Sequence, residues 1–502
     1  MDAAERYRAL DVVHFDSEPV DVLFAPETLR LLALSRPAAN VLRKLRDGAG
    51  VESAAAAEQV SAEDVERLVS SVVERLVPNS APSGGPRFAE PRRAIGPVLP
   101  KLVMILNNYC NLKCTYCYEH ETLFRERPQD ITREVVDATL DRFYSSFRAI
   151  GQLMFIGGEA TLSPDMIEYA CRRAREISAH RGVPSPSFCM ITNGVRMGDA
   201  VFEIIDRFDI QVTFSMDGPP QAHDSVRFHH DGSPSFNAVA ANIRRYKEAH
   251  PDSLQVECTL SGAQKNAGVS VTDLMHFFSE EFGLSDPHIA PAGLVPGDLL
   301  NPFGGGAHTG GSTRLEKEFT AAAAEAMDAL LAEFETGARG DKTRPGMDLV
   351  SGMVRTLVGG KPVLRMCPAG TAQLVVDVRG DLYPCWMFAG MPQFRMGSVL
   401  HDEVFNPAAE RVLRRIIEND KRNNPQCSVC VARSVCNVCL GNNQNGAGSI
   451  EKIDEHYCRT IRGTLGVVLV KLAAAQQDRE RWSKIRQSAA RSAAAHRDDL
   501  PC

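Results

Sequence analysis

Three cysteines, Cys110, Cys114 and Cys117, fall within eight consecutive positions of "YCNLKCTYC", directly behind the apolar run "KLVMIL". Thiolates packed this closely suit soft metals, and zinc and iron-sulfur clusters are the usual occupants. A structural zinc wants four ligands, commonly as two close pairs. A C-x3-C-x2-C spacing supplies three and stops, which fits a cubane that keeps one iron open for a small molecule. Seven more cysteines gather toward the other end: Cys367, then Cys385 closing "GDLYPC", then Cys427, Cys430, Cys436 and Cys439 in "CSVCVARSVCNVC", then Cys458. Standing alone, residues 427–439 would read as a zinc ribbon. In a reducing compartment disulfides are disfavoured, so clustered thiols point to metal or redox chemistry. The scattered Cys171, Cys189, Cys258 and Cys502 read as small buried or incidental thiols.

These residues need elements to position them. From 101 to about 292 short apolar strands ("KLVMIL", "QLMFIGG", "SFCMITNG", "IQVTFSMDG", "LQVECTLSG", "DPHIAPAG") alternate with helical patterns near 131–148, 164–181, 198–208, 235–249 and 270–282. Six strand-helix repeats predict an α/β fold, a parallel sheet wound as a partial (β/α)6 TIM-like barrel with its ligands at the strand C-terminal ends. The stretch 297–312 reads as a flexible loop closing this core (101–312), and an Ala-rich helix at 313–336 opens a helical bridge (313–366). A cysteine-rich unit with the hairpin "QLVVDVRGDLYPC" covers 367–460, and 461–502 reads as a helix grading into a polar tail. Residues 1–77 carry extended stretches at "DVVHF" and "VDVLFA" and three helices, a winged-helix-like pattern. Pro37 near the start and Gly48 past the end bracket the first of these helices, and Ser61 with Asp64 caps the third. The Pro-, Gly- and Ser-rich segment 78–100 reads as a linker.

With 502 residues, 44% hydrophobic and 24% charged, the chain is expected to be a soluble globular protein of two or three domains. A formal charge of -7 overall, and -5 over residues 1–77, argues against a nucleic-acid partner. The best apolar stretch, "GTLGVVLVKLAAA", carries Lys471 and falls short of the roughly 20 residues of a membrane span. The start "MDAAERYRAL" lacks the apolar core of a signal peptide, so the expected location is cytoplasmic, with no membrane partner.

Behind these elements, "CNLKCTYC" resembles the defining motif of the radical S-adenosylmethionine (SAM) superfamily at every cysteine. The resemblance implies a 4Fe-4S cluster on Cys110, Cys114 and Cys117. Its open iron would chelate the amino and carboxylate groups of SAM, and reductive cleavage would yield a radical that abstracts hydrogen from substrate. "FIGGEAT" resembles the family's Gly-Gly-Glu motif, in which Gly157 and Gly158 allow close backbone approach to the SAM amino group and Glu159 orients it. Ala160 stands where the family usually has Pro. "SMDGPPQAHDSVR" resembles the segment that meets the ribose through a serine, here Ser215, and the SAM carboxylate through an arginine, here Arg227, whose planar fork suits that carboxylate. Tyr116 matches a residue whose backbone contacts the adenine, and Asn193, within "TNG", matches another strand end of the SAM site. No catalytic residue is assigned beyond the SAM cluster. His229 and His230 read as solvated loop residues, Asp217 and His223 as fixing a turn, and Met387 and Phe388 as lining a channel or packing.

The later cysteines resemble the SPASM domain, which holds auxiliary iron-sulfur clusters, except that the last close pair has two intervening residues where the family usually has three. The resemblance implies two auxiliary clusters of the 4Fe-4S type: an outer one on Cys427, Cys430, Cys436 and Cys458, and an inner one on Cys367, Cys385 and Cys439. With three ligands, the inner one would have an open iron, a non-cysteine ligand or a smaller core. The N-terminal unit resembles the domain that recognises leader sequences of ribosomally made peptides as an added strand on a sheet edge. The implied activity is maturation of a precursor peptide by hydrogen abstraction and thioether, carbon-carbon or carbon-oxygen crosslinking, with a ferredoxin or flavodoxin as electron partner. The alternative is an anaerobic sulfatase-maturing enzyme that makes formylglycine. That family places an aspartate base after the second SPASM cysteine, where this chain has Trp386.

Overall fold

The computed structural model describes residues 2–18, 20–77, 91–292, 314–336 and 346–495. Near the N-terminus, β1 (Val13–Phe15), β2 (Asp21–Ala25) and β3 (Arg30–Leu34) form an antiparallel sheet in the order β1-β2-β3. Helices follow at Arg36–Arg46, Val51–Ala57 and Ala62–Leu76, as the pattern predicts; β3 and the helix Ala3–Arg8 are additions. Ser61 and Asp64 form the expected capping box. Because β2 is buried along its whole length, its two faces serve different cores. Leu23 packs with Tyr7, Leu42 and Val69 inside this unit, whereas Val22 and Phe24 join the large core of the molecule. Between the two, a buried Asp21 takes Arg43 at 2.8 Å and Arg36 at 3.2 Å.

Among the described residues the main sheet has eight strands. β4 (Val98–Ile105), β5 (Ala149–Ile156), β6 (Ser187–Thr192), β7 (Ile210–Ser215), β8 (Gln255–Leu260) and β9 (His288–Pro291) lie side by side in chain order, all parallel. This is the expected partial (β/α)6 barrel of an α/β fold. The crossover helices occupy Arg133–Ser146, Pro164–Arg181, Asp199–Phe208, Phe236–Ala249 and Val271–Phe282. Their ends are marked chemically: Thr132 accepts from Val135 N, Pro164 opens its helix, and Gly182 and Gly283 close theirs at φ +64° and +60°. Strands buried on both faces read as continuous apolar runs, which is why β4 and β5 are so plain in the sequence.

β10 (Gln373–Val376) and β11 (Leu382–Tyr383) make the predicted hairpin, but β10 also pairs parallel to β4, from Gln373↔Lys101 to Val376↔Met104. The cysteine-rich region is therefore continuous with the barrel sheet. One boundary needs correction. Residues 91–95 are helical and β4 begins at Val98, so the upper part of the expected linker is structured. The helix predicted at 313–336 runs Arg314–Thr336, and a second bridge helix spans Asp348–Gly359. The helix expected after 460 is present as two, Glu455–Gln476 and Arg479–Ala495. The predicted loop 297–312 and the last seven residues lie outside the described residues. Among the described residues no helix is long and apolar enough to cross a membrane.

Candidate active site

The loop after β4 carries the cysteine triad over the C-terminal ends of the barrel strands. Gly158 N donates to Asn107 O at 2.9 Å and Glu159 N to Tyr109 O at 3.1 Å, so the end of β5 lies directly beneath it. A Cβ on Gly158 would stand 2.1 Å from Tyr109 O, and one on Gly157 2.6 Å from Asn107 Oδ1. Gly158 is thus required by the approach of the cysteine loop's backbone and Gly157 by the buried Asn107 side chain, reasons the motif does not reveal. On its other side the loop is stitched to the segment after β7. Lys113 N donates to Phe228 O (2.8 Å) and Thr115 N to Val226 O (3.0 Å). His230, exposed as expected, is nevertheless tied to the loop through Nε2 and Cys110 O at 3.0 Å.

Glu159, 2% exposed, braces β5 against β6. Its Oε1 accepts from Thr161 N (2.9 Å), Thr161 Oγ1 (2.7 Å) and Thr192 Oγ1 (2.6 Å), and its Oε2 from Asn193 N (2.7 Å). Asn193 passes this order to the triad: Nδ2 donates to Asn111 Oδ1 at 2.8 Å and lies 3.5 Å from Cys110 Sγ.

Tyr116 and Arg227 meet over Asp217. The Tyr116 hydroxyl donates to Asp217 Oδ2 at 2.6 Å and accepts from Arg227 Nη1, which lies 3.8 Å from Asp217 Oδ1. Asp217 also receives Thr259 N at 2.9 Å and so ties β7 to β8. The turn below it is fixed by His223, as expected: Nδ1 accepts from Asp217 N (3.2 Å) and Nε2 donates to Ser235 Oγ (3.0 Å). Burial holds this imidazole neutral, lowering its pKa to about 3.

Several observations test whether this site fits a cluster and SAM. Burial pushes the Cys110 thiol up to about 12 and raises Cys114 and Cys117 too. Thiols so placed become thiolates only through a bound cation. Arg227 Nε and Asn111 Nδ2 are buried without a hydrogen-bond partner, polar atoms that a polar ligand would satisfy. Among the described residues no three His, Cys, Asp or Glu side chains converge as a single metal ion requires. The residues fit the cluster.

The later cysteines act on one another electrostatically in two groups. Cys427, Cys436 and Cys458, all with raised thiol pKa values chiefly through burial, act electrostatically on one another and on Cys430. Cys367, Cys385 and Cys439 form a second mutually acting set, also raised chiefly by burial. Tyr118, immediately after the triad, lies within electrostatic reach of Cys385 of the second set. Met387 packs against Gly441, where a Cβ would lie 2.3 Å away, and Phe388 stacks on Phe394 at 4.1 Å; both are packing residues.

The motifs do not reveal a polar row on the inner wall. Phe214 turns outward onto Tyr246 of the helix Phe236–Ala249, so its neighbour Ser215 faces inward. The strand registers Ser215↔Glu257 and Glu257↔His288 then place all three on one face of the sheet. Glu257 makes no side-chain hydrogen bond or ion pair among the described residues, and its charge acts on Tyr118, Asp217 and Cys439. Only alternation along "QVECTL" hints at it, since a lone Glu between apolar residues on a strand points away from the helices.

Residues 104–260 match the model of the Radical SAM superfamily. A cysteine-type anaerobic sulfatase-maturating enzyme of Clostridium perfringens is 20% identical over 392 residues, covering 73% of this chain and 95% of that protein. The radical SAM cyclopropyl synthase TigE of Paramaledivibacter caminithermalis is 19% identical over 30% of this chain and 34% of its own length. The solved structure of native anSMEcpe with bound AdoMet superposes with a TM-score of 0.59 at 19% identity, over 75% of this chain and 99% of that one, and so shares the fold. The cysteine triad, the strand ends around it and the family match agree: residues 104–260 of this chain form a radical SAM domain.

Proposed function

We propose that this radical SAM enzyme oxidises a ribosomally made precursor peptide, joining two of its residues by a thioether, carbon-carbon or carbon-oxygen bond. The reading is supported by the second thiol set, whose Cys385 acts on Tyr118 beside the triad, and by Glu257, whose charge acts on both Tyr118 and Cys439. Cys110, Cys114 and Cys117 would hold the SAM cluster, and Cys367, Cys385, Cys439 and Cys427, Cys430, Cys436, Cys458 two auxiliary clusters. Bound there, SAM and the reduced cluster supply a hydrogen-abstracting radical. Asn193 orders the first cysteine, and Gly157 and Gly158 let the loop sit low over β5. The Arg227 guanidinium, aimed by Tyr116 and Asp217, keeps Nε for the SAM carboxylate, while Ser215 meets the ribose. Glu257 takes the proton that an oxidised peptide must release. The sheet β1-β2-β3 would receive the leader along an edge, and a ferredoxin or flavodoxin would exchange electrons.

Formylglycine formation on a sulfatase is the second reading, favoured by the relative in Clostridium perfringens that this chain covers almost end to end. Trp386 after Cys385 speaks against it. Co-expression with the peptide encoded by a short reading frame beside the gene, followed by mass spectrometry, separates the readings. Loss of two hydrogens supports a crosslink; an unmodified peptide, together with an aldehyde on a cysteine-containing sulfatase peptide, refutes it.

A further inference from the structure

Lys421 is 1% exposed, yet it forms no ion pair among the described residues. Its neighbour Asp420 spends its carboxylate on Arg422 and on the backbone N–H groups of Arg422 and Asn423. The ammonium donates to two carbonyls, Val363 O at 2.5 Å and the carbonyl of Cys436. Two neutral acceptors do not repay the desolvation of a full charge, so a buried ammonium of this kind calls for a nearby anion. The anionic candidates it interacts with are Cys436, Cys427 and Cys430 and, less strongly, Asp420, whose carboxylate is already engaged by Arg422. Four thiolates around a 4Fe-4S core carry net negative charge, which grows by one unit on reduction.

A second cation, Arg462, touches Cys430 but is paired with Glu455 on its own helix, which leaves Lys421 as the uncompensated charge. The inner set stands in the opposite field. The charges acting most strongly on Cys367, Cys385 and Cys439 are one another and Glu257, with no cation among them. A fixed positive charge favours the more negative, reduced form of a nearby couple, and a fixed negative charge disfavours it.

We infer that Lys421 is the resident countercharge of the group held by Cys427, Cys430, Cys436 and Cys458, and that it keeps this outer site at a higher reduction potential than the inner site. The inference rests on the auxiliary-cluster reading above. In that arrangement an electron released at the barrel mouth moves downhill toward the surface.

The test needs no peptide. Full-length protein is reconstituted anaerobically with iron and sulfide and titrated with dithionite under EPR, with Cys427→Ala used to identify the outer signal. In wild type the outer signal is reduced before the inner one. In Lys421→Met the ratio of reduced to oxidised outer site at a fixed potential falls at least tenfold, about 59 mV for a one-electron couple, while Lys421→Arg stays near wild type. Loss of the outer signal in Lys421→Met with its retention in Lys421→Arg also supports a countercharge. An unchanged midpoint in Lys421→Met, an equal shift in Lys421→Arg, loss of the signal in both, or an inner site reduced first overturns the inference. Wild-type protein that takes up only about four irons fails the auxiliary-cluster reading itself and the inference with it.

Discussion

Glu159 offers the sharpest test of how the site is built. The motif assigns it to SAM, but its carboxylate already takes four protein hydrogen bonds, three on Oε1 and one on Oε2. In Glu159→Gln the amide keeps one oxygen. The least costly placement leaves that oxygen with Thr161 and Thr192 and turns the NH2 toward Asn193 N, so a donor faces a donor. One charge-assisted bond is lost, about 1.5–3 kcal/mol, and a buried N–H is stranded at about 1–3 kcal/mol. Because the two penalties overlap, the net destabilisation is about 2–4 kcal/mol, or about 4–16 °C in the unfolding midpoint of a domain this size. The assay is thermal unfolding of reconstituted protein alongside SAM affinity and 5'-deoxyadenosine formation. A midpoint unchanged in Glu159→Gln with SAM binding abolished would refute the bracing role and return Glu159 to the ligand alone.

Four further outcomes are expected. Gly158→Ala brings a Cβ to 2.1 Å from Tyr109 O, so iron incorporation at the triad falls sharply while far-UV circular dichroism is retained. Cys114→Ala abolishes reductive 5'-deoxyadenosine formation, whereas Cys430→Ala spares part of it and stops peptide modification, as chromatography and mass spectrometry of the products will show. Glu257→Gln retains deuterium transfer from a labelled peptide into 5'-deoxyadenosine but lowers oxidised product about a hundredfold, the scale of a lost general base. His288 is partly desolvated, which opposes its charge, yet its ion pair with Asp348 raises its pKa to about 9. Its contribution to stability is complete below about pH 6.5 and is lost as pH rises through 9, a dependence that urea titrations should find missing in Asp348→Asn.

Much of the barrel is legible in the chain because its strands are buried on both faces and its helices carry their own caps. "KLVMIL" and "QLMFIGG" read as strands without knowledge of their neighbours, and Ser270 with Asp273 marks a helix start by local hydrogen bonds alone. The cysteine triad is legible because three ligands within one loop need no tertiary arrangement to be seen together. By contrast, β3, directly behind the turn at 26–29, has no alternation to declare it, since both faces of its sheet are covered.

The ligand inventory and the order of the strands are written in the chain: which thiols exist, how they are spaced, and at which strand ends they and their polar companions emerge. Which groups come to share a face depends on folding. Glu257 joins Ser215 and His288 through strand register, β10 completes the sheet beside β4 across some 270 residues of chain, and Lys421 becomes a charge without a partner only when burial removes its water. Local spacing records short-range bonds, whereas desolvation and register arise from contacts between segments far apart in the chain.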